Sequence, residues 1–430
     1  MAENFRFETL ALHAGQKIDE TGSRAVPVYR TSSYIFNSTD HASDLFALKQ
    51  PGNIYTRMMN PTQDVLEKRV AALENGAAAL ALASGTAAVF YTILTVCGHG
   101  DEVVSGVNLY GGTYTMFNDI LPEMGIKVRF ADAKNIKSFE NLINEKTRLI
   151  YTEVIGNPVL DVANIRALAD IAHSHKLPLA VDSTFTPPCI FRPIDHGADI
   201  VIHSLTKWLS GHGTGLGGIV IDSGRFDWTD TKFRLLNEPD PSYHGLRYAH
   251  DLGENNNLAF ITRMRLVPLR NLGACISPDN AWICLQGLET LSLRMERHCQ
   301  NALRVAEYLS SHSSVSWVRY PGLKSDQSYN VASGQFKNGF GGMVVFGIKG
   351  SIRNGEAFIN NLKLFSHLAN VGDAKSLAIH PSSTTHSQLS EQMQLDCGIT
   401  PDLIRLSIGI EHIDDIIADL EQALQKSKES

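Results

Sequence analysis

The chain has 430 residues, of which 43% are apolar and 19% are charged. This length is sufficient for two or three domains with their own cores, and it excludes a linker or a mini-protein. The 45 Asp and Glu residues exceed the 38 Lys and Arg residues, a net charge of −7, which argues against a nucleic-acid-binding surface because such surfaces are basic.

The cysteines are scattered singly along the chain, at Cys97, Cys189, Cys275, Cys284, Cys299 and Cys397. Their spacing fits neither a zinc ribbon nor a disulfide framework. The N-terminal stretch MAENFRFETLALHAGQ carries charges and lacks the apolar run of a secretory signal. We therefore expect reduced, mostly buried thiols and a cytoplasmic protein.

Residues 1–64 contain few periodic segments and many turn signals, such as Gly22-Ser23 and Asn60-Pro61. This composition predicts an extended arm that contacts a neighbouring subunit. The next feature is the uncharged stretch from Ala77 to Gly98, which is long enough to span a membrane. Because it is rich in Ala and is interrupted by Ser84-Gly85-Thr86, we predict a buried strand, a turn and a core helix instead.

From Val65 to about residue 224, short apolar runs alternate with amphipathic stretches such as Val65–Leu73 and Asn164–His173. The predicted strands are Ala79–Leu82, Glu102–Ser105, Lys127–Phe130, Leu149–Glu153, Leu179–Val181, Ile200–Ile202 and Ile219–Ile221. This alternation is typical of an α/β fold with a mostly parallel sheet covered by helices. Ligands of such sheets lie at the carboxyl ends of the strands, so the turns there are the candidate site.

After about Ala274 the pattern changes. Helices are predicted over Ala281–Gln300 and Ala302–Ser310, strands over Gly342–Gly347 and Ile404–Ser407, and an amphipathic helix over Ile413–Gln425. We therefore divide the chain into the arm 1–64, a large domain 65–273 and a smaller C-terminal α+β domain 274–430.

Three strand ends carry polar side chains suited to one site. Ser84-Gly85-Thr86 follows a strand and begins a helix, an arrangement that binds phosphate, although small-residue turns of this kind are common. Asp182 ends an apolar strand, where it would pair with a cation in a cleft or serve as a helix cap. Lys207 follows a third strand together with Ser204 and Thr206, where a desolvated amine can form a Schiff base with an aldehyde.

The glycine-rich run from Gly211 to Gly218 contains a GxGxxG match, but it precedes a strand instead of opening a helix. That order is wrong for a dinucleotide fingerprint, so we reject a nicotinamide-dependent oxidoreductase. The glycines are better explained by a close approach of the backbone to the lysine or its cofactor. No metal site is predicted, and His380, His386 and His412 are interpreted as structural or pocket residues.

A phosphate turn, a strand-end Asp and a strand-end Lys are the parts of a pyridoxal 5′-phosphate (PLP) site. Over almost its whole length the sequence resembles the Cys/Met-metabolism PLP enzymes of the aspartate-aminotransferase fold (fold type I), and within them the O-acetylhomoserine sulfhydrylases. The matching segments are FETLALHAGQ (7–16), NIYTRMMNPT (53–62), SLTKWLSGHGTGLGG (204–218), LQGLETLSLRMERH (285–298), NVGDAKSLAIHPSSTTHSQLSE (370–391) and DLIRLSIGIEHIDDI (402–416). The segment 370–391 separates this group from the cystathionine lyases and synthases.

The resemblance implies a role for each matching residue. The catalytic residues would be Lys207, which forms the Schiff base, Tyr110, which stacks on the ring, and Tyr55. Asp182 would pair with the protonated pyridine nitrogen. The other cofactor-binding residues would be Gly85, Thr86, Thr184, Ser204 and Thr206, with Tyr55 and Arg57 supplied by a neighbouring subunit.

Arg405, Asn157 and Ser376 would bind the substrate carboxylate, for which the planar guanidinium is well suited. The resemblance also implies a homotetramer built from dimers that share active sites, with small-molecule substrates and neither nucleic acid nor membrane as a partner. The expected reaction is γ-replacement on O-acetyl-L-homoserine by sulfide or a small thiol.

The sequence departs from the family pattern at several positions near the motifs. The family usually has Gln or Met at Thr86, Ala at Leu205, Gly at Ser210, Thr at Leu216 and Ala at Arg30. These changes place the nucleophile in question more than the amino-acid donor. Two alternatives therefore stay open: the same donor with a carbon or nitrogen nucleophile, and γ-elimination to 2-oxobutyrate and ammonia.

Overall fold

A computed structural model of the chain describes residues 5–132, 135–384, 392, 394 and 398–428. The predictions for His386 and Cys397, and the end of the matching segment 370–391, lie outside the described residues. The other five cysteines are free thiols, and Cys97, Cys284 and Cys299 among them are buried. Three of these five thiols are thus buried, as expected, while the reduced state stays a prediction.

A seven-stranded sheet forms the centre of the larger part of the molecule. Its strands are β1 Ala78–Leu82, β2 Glu102–Gly106, β3 Lys127–Ala131, β4 Thr147–Glu153, β5 Leu179–Asp182, β6 Ile200–Ser204 and β7 Gly218–Asp222. They are ordered β1-β7-β6-β5-β4-β2-β3, and only β7 runs antiparallel to its neighbours β1 and β6. All seven predicted strands and the mostly parallel sheet are thus confirmed.

A five-stranded sheet lies in the C-terminal part. Its strands are β8 Val315–Arg319, β9 Met343–Ile348, β10 Ser366–His367, β11 Leu377–Ile379 and β12 Leu403–Ser407, in the order β10-β11-β12-β9-β8. All of its pairings are antiparallel except β10 with β11. The second, smaller α+β unit expected from the sequence is therefore present, while the boundaries at residues 64 and 273 stay predictions.

The α-helices of the described residues surround the two sheets and precede them in the N-terminal segment. They are α1 Phe7–His13, α2 Thr39–Phe46, α3 Pro61–Glu74, α4 Gly85–Val96, α5 Gly111–Thr115, α6 Leu121–Glu123, α7 Ile136–Leu142, α8 Ile165–Ser174, α9 Arg234–Asn237, α10 Ala259–Met264, α11 Arg270–Leu272, α12 Pro278–Glu289, α13 Leu291–Ser311, α14 Tyr329–Gln335, α15 Ile352–Asn361 and α16 Ile413–Ser427. Helices α3, α7 and α8 cover one face of the large sheet, and α4 and α10 cover the other. Helices α13, α15 and α16 pack around the smaller sheet in a third apolar cluster.

The predicted helix break at Asn301 is wrong, because the chain leaves helical geometry at Thr290 instead. Asn301 is buried inside α13, and its amide donates to the carbonyl oxygens of Gly409 and Glu411. A polar residue in the apolar face therefore marks a tertiary hydrogen bond here and not a helix end.

The uncharged stretch from Ala77 to Gly98 folds as the strand, turn and helix that we expected. Helix α4 packs against β6 and β7, so its apolar residues face the sheet. Among the described residues, no helix is long and apolar enough to cross a membrane.

Candidate active site

A cavity of about 230 Å³ opens at the carboxyl ends of β4, β5 and β6. The predicted site residues that line it are Gly85, Thr86, Tyr110, Asn157, Asp182, Thr184, Ser204, Thr206, Lys207 and Arg405. Arg405 comes from β12 of the smaller sheet, so the cavity lies where the two units meet. The structure thus brings together residues that are up to 320 positions apart in the sequence (85 to 405).

One end of the cavity is formed by the turn between β1 and α4. Ser84 is the N-cap of α4, and its hydroxyl accepts a hydrogen bond from the Ala87 N–H at 3.1 Å. A Cβ atom at Gly85 would lie 2.7 Å from Ser204 Cβ, and one at Gly218 would lie 2.0 Å from the Ser84 carbonyl oxygen. Glycine is required at both positions for the turn to lie against β6 and β7, where its free N–H groups suit an anion.

Two threonines hold the neighbouring loops in place. The Thr184 hydroxyl accepts from the Ser204 N–H at 2.8 Å, which ties the loop after β5 to the end of β6. The Thr206 hydroxyl accepts from the Gly217 N–H at 3.1 Å. The glycine-rich run therefore does pass close to the lysine loop, as its composition indicated.

Asp182 lies at the end of β5 with its side chain in the cavity. The Thr184 N–H donates to its carboxylate at 2.9 Å. Burial raises the pKa of Asp182, whereas hydrogen bonds from the side chain and backbone of Thr184 act in the opposite direction. The carboxylate is thus held in place with donors that favour its charged form.

Lys207 directs its amine into the same cavity, where Nζ donates to Asn370 Oδ1 at 2.5 Å. Burial, and secondarily the positive charge of Arg405, lower the pKa of Lys207 from 10.5 to about 8. A lysine in this environment holds a substantial free-amine fraction near neutral pH, which is the form that attacks an aldehyde.

Arg405 is 7% exposed, and its Nη1 donates to Asn157 Oδ1 at 3.0 Å. Burial lowers the pKa of Arg405 to about 10, so the guanidinium remains charged at neutral pH. The pair places a planar cation in the cavity wall, and such a cation is suited to a carboxylate.

Three predicted site residues do not line this cavity. Ser376 is fully buried: its hydroxyl donates to Glu411 at 2.9 Å and accepts from the Gly409 N–H at 2.9 Å. Tyr55 is 41% exposed, with the Arg57 guanidinium over its ring at 5.2 Å. The roles given to these three residues remain predictions.

The departures from the family pattern fall in different places. Thr86 and Leu216 line the cavity, and Leu216 is 61% exposed. Leu205 and Ser210 are buried outside the lining. Arg30 forms an ion pair with Asp279 of α12, with Nε donating at 2.8 Å. Only two of the five changes therefore alter the cavity wall.

Sequence reasoning did not single out several residues of the wall, among them the polar residues Glu153, Thr113 and Asn370. Glu153 ends a predicted strand as Asp182 does, so the rule that pointed to Asp182 would also have found it. Asn370 contacts Lys207 from 163 residues away, and no local pattern indicates such a contact.

His380 and His412, two of the histidines interpreted as structural or pocket residues, have structural partners. His380 Nδ1 lies 2.7 Å from the Ser383 hydroxyl and Nε2 lies 2.8 Å from the Pro401 carbonyl, while His412 caps α16. Within the described residues, no group of three or more His, Cys, Asp or Glu side chains is arranged to hold a metal ion.

The residues of the cavity fit pyridoxal 5′-phosphate. Helix α4 begins in the cavity with Gly85 and Thr86, and the Ser204 and Thr206 side chains also lie in the wall. The buried amine of Lys207 and the carboxylate of Asp182 line the same cavity. A phosphate, an aldehyde and a pyridine nitrogen would therefore each find a chemically matched group.

Comparison with known proteins agrees with this chemistry. Residues 8–425 match the family described as "Cys/Met metabolism PLP-dependent enzyme". The chain is 53% identical to O-acetyl-L-homoserine sulfhydrylase of Leptospira meyeri, over 99% of this chain and 98% of that protein. It is 51% identical to homocysteine synthase of Schizosaccharomyces pombe, over 98% and 99% of the two chains.

A solved structure described as an O-acetylhomoserine (thiol)-lyase of Campylobacter jejuni, with N′-pyridoxyl-lysine-5′-monophosphate, superimposes with a TM-score of 0.93. It is 41% identical and covers 98% of this chain and 100% of its own. The fold-type-I architecture and the PLP cofactor are thereby confirmed. From its fold, its strand-end residues and these matches, the chain belongs to the Cys/Met metabolism PLP-dependent enzyme family.

Proposed function

We propose that this enzyme catalyses γ-replacement on O-acetyl-L-homoserine, in which sulfide displaces acetate to give L-homocysteine. The Cγ–O bond of the donor breaks, a Cγ–S bond forms, and acetate leaves with the electron pair. The observation that carries the proposal is one cavity lined both by the buried amine of Lys207 and by the Arg405–Asn157 pair. The relatives named sulfhydrylase and homocysteine synthase support the choice of donor and nucleophile.

Bound PLP supplies an electron-withdrawing ring that stabilises negative charge at Cα of an amino acid. Lys207 accepts and returns the protons of the reaction, a task for which a pKa of about 8 is suitable. Asp182 would pair with the protonated pyridine nitrogen, and Tyr110, which lines the same cavity, would stack on the ring. Arg405, oriented by Asn157, binds the α-carboxylate of the donor.

The phosphate would be held by the N–H groups of Gly85 and Thr86 at the start of α4, and by the Ser204 and Thr206 hydroxyls. Thr184 contributes indirectly, because it joins Asp182 to the backbone of Ser204. Ser376 would reach a substrate only after its hydroxyl has left Glu411.

We assign Tyr55 and Arg57 to the cavity of a neighbouring subunit, in dimers that pair into a tetramer. Their absence from the lining of their own chain's cavity and the exposure of Tyr55 support this assignment. The free thiols support a cytoplasmic location.

Sulfide is favoured over a carbon or nitrogen nucleophile because most departures from the family pattern lie away from the cavity. Arg30 is held by Asp279, and Leu205 is buried in the core. The alternative depends on Thr86 and Leu216, which do line the cavity. γ-Elimination ranks last, because the segment 370–391 is of the acetylhomoserine type and its Asn370 contacts Lys207.

The test incubates holoenzyme and O-acetyl-L-homoserine with sulfide, and separately with small β-keto acids or amines, and identifies products by mass. Homocysteine with equimolar acetate supports the proposal, and Lys207→Ala is the inactive control. Acetate release without homocysteine contradicts it. A carbon–carbon or carbon–nitrogen adduct would establish the alternative nucleophile, and 2-oxobutyrate with ammonia would establish the lyase.

A further inference from the structure

Two carboxyl groups lie side by side on the wall of the active-site cavity. Glu153 ends β4 and Asp182 ends β5, and the two residues are paired in the parallel register of the sheet. Both line the cavity, and Glu153 is only 8% exposed. Adjacent strands are about 4.8 Å apart, so these side chains lie within the distance at which like charges repel strongly in a buried site.

Such a pair does not ionise twice near neutral pH, because desolvation and mutual repulsion both oppose a second negative charge. The surroundings of the two groups decide which one stays charged. The Asp182 carboxylate accepts a hydrogen bond from the Thr184 N–H. The Thr184 hydroxyl oxygen accepts from the Ser204 N–H, so its hydrogen is available to donate to the Asp182 carboxylate. Burial raises the pKa of Asp182 too, but the charge of His203 on β6 and a hydrogen bond with Tyr151 act against that rise, as the Thr184 donors do.

Glu153 has a poorer set of partners for a charge. Its Oε1 accepts the backbone N–H of Tyr110 at 2.6 Å, and the backbone of Asn157 is its only other donor among the described residues, against the two Thr184 donors, Tyr151 and the charge of His203 around Asp182. Burial, and then the charge of Asp182, raise the pKa of Glu153 well above its ordinary value. The two cations among the described residues of the wall have other hydrogen-bond partners: Lys207 donates to Asn370, and Arg405 donates to Asn157.

We propose that Glu153 is the protonated member of this carboxyl pair and acts as a neutral positioning residue for Tyr110, leaving Asp182 as the single negative charge. Tyr110 precedes the first turn of α5 and has a half-exposed ring, so the hydrogen bond to Glu153 fixes its backbone at the cavity. This proposal goes beyond the proposed function, and it holds whichever nucleophile the enzyme uses.

If Glu153 is neutral, its substitution by Gln and its substitution by Ala should affect PLP binding differently. Glu153→Gln keeps the size, the neutrality and an oxygen acceptor for the Tyr110 N–H. We expect its PLP affinity, and the pH midpoint of the bound cofactor's absorbance, to stay within about threefold and about half a pH unit of the wild type. Glu153→Ala removes the acceptor, so its PLP dissociation constant should rise about tenfold, the effect of losing one buried hydrogen bond.

The direct test is infrared spectroscopy of the protein with bound PLP near pH 7.5, in which the spectrum of each variant is subtracted from that of the wild type. The wild-type spectrum should contain the carbonyl stretch of a protonated carboxylic acid that Glu153→Gln lacks. The matched control is Glu102→Gln on β2, where a hydrogen bond from Arg129 lowers the pKa of the carboxyl. That substitution should remove a carboxylate band and leave the acid band unchanged.

Two results would overturn the proposal. One is a carboxylate band, not an acid band, as the signal that Glu153→Gln removes. The other is a shift of more than one pH unit in the absorbance midpoint of this variant, since that would mean a lost negative charge. If Glu153→Gln does not fold, wild-type protein labelled with ¹³C-glutamate decides the matter: a labelled acid band must be present at pH 7.5 and must shift on PLP binding, because Glu153 lines the cavity whereas the buried Glu67 and Glu74 do not.

Discussion

The lowered pKa of Lys207 leads to a measurable pH dependence of cofactor capture. Burial of the amine and the charge of Arg405 reduce its pKa from 10.5 to about 8. At pH 7 the free-amine fraction is then about 10%, against about 0.03% for an unshifted lysine, a gain of about 300-fold. Only the free amine attacks the cofactor aldehyde, so the capture rate should follow this fraction.

The assay mixes apoprotein with PLP in a stopped-flow instrument between pH 6 and 10 and records the absorbance of the bound cofactor. The rate constant should rise about tenfold per pH unit and level off above about pH 8. Nα-acetyllysine, measured under the same conditions, corrects for the ionisation of PLP itself. Its rate should keep rising to the highest pH.

Arg405→Gln supplies an internal check, because it removes the second cause of the shift and leaves the first. Its midpoint should move to higher pH by less than the difference between 8 and 10.5. A wild-type rate that climbs without a plateau through pH 10 would refute the inference that Lys207 is desolvated in the folded protein.

Three further changes test the rest of the site. Gly218→Ala would place a Cβ 2.0 Å from the Ser84 carbonyl oxygen, so we expect a loss of about 1–3 kcal/mol in the free energy of unfolding and weaker PLP binding, both measured by thermal denaturation with and without PLP. The helical Gly334→Ala, where a Cβ meets no atom within 4 Å, is the control and should be neutral or stabilising. Arg405→Lys should raise the KM for the donor at least about tenfold while the cofactor absorbance stays unchanged, because an ammonium cannot form the bidentate pair; an unchanged KM would rule out a carboxylate at Arg405. Mixing inactive Arg57→Ala and Lys207→Ala subunits should restore part of the activity if the arm acts across subunits, and no recovery after verified subunit exchange would contradict that assignment.

Local pattern was sufficient to locate the large sheet and most of the site on it. A strand of a parallel sheet is buried on both faces and therefore appears as a short apolar run, which is how β5 and β6 were found. The polar residues that follow such runs necessarily meet at one edge of the sheet. This is why Asp182 and Lys207 could be assigned to one cavity from the sequence alone.

Other features were identified only through resemblance to known enzymes. Arg405 lies in the middle of an apolar strand of the smaller sheet, and nothing in its neighbourhood indicates that its side chain faces a cavity. Its partner Asn157 is 248 residues away. The matching motif suggested a shared role, and the structure supplied the 3.0 Å contact between the two side chains.

The remaining features depend on how the two units pack, which no local periodicity encodes. Three contacts arise from surfaces that meet only in the folded chain. They are the hydrogen bond of Lys207 with Asn370, those of the buried Asn301 with the chain after β12, and the ion pair of Arg30 with Asp279. The charge on the Glu153–Asp182 pair is decided in the same way. The sequence shows two acidic strand ends of equal appearance, whereas the donors around each carboxyl, and its desolvation, exist only in the tertiary structure.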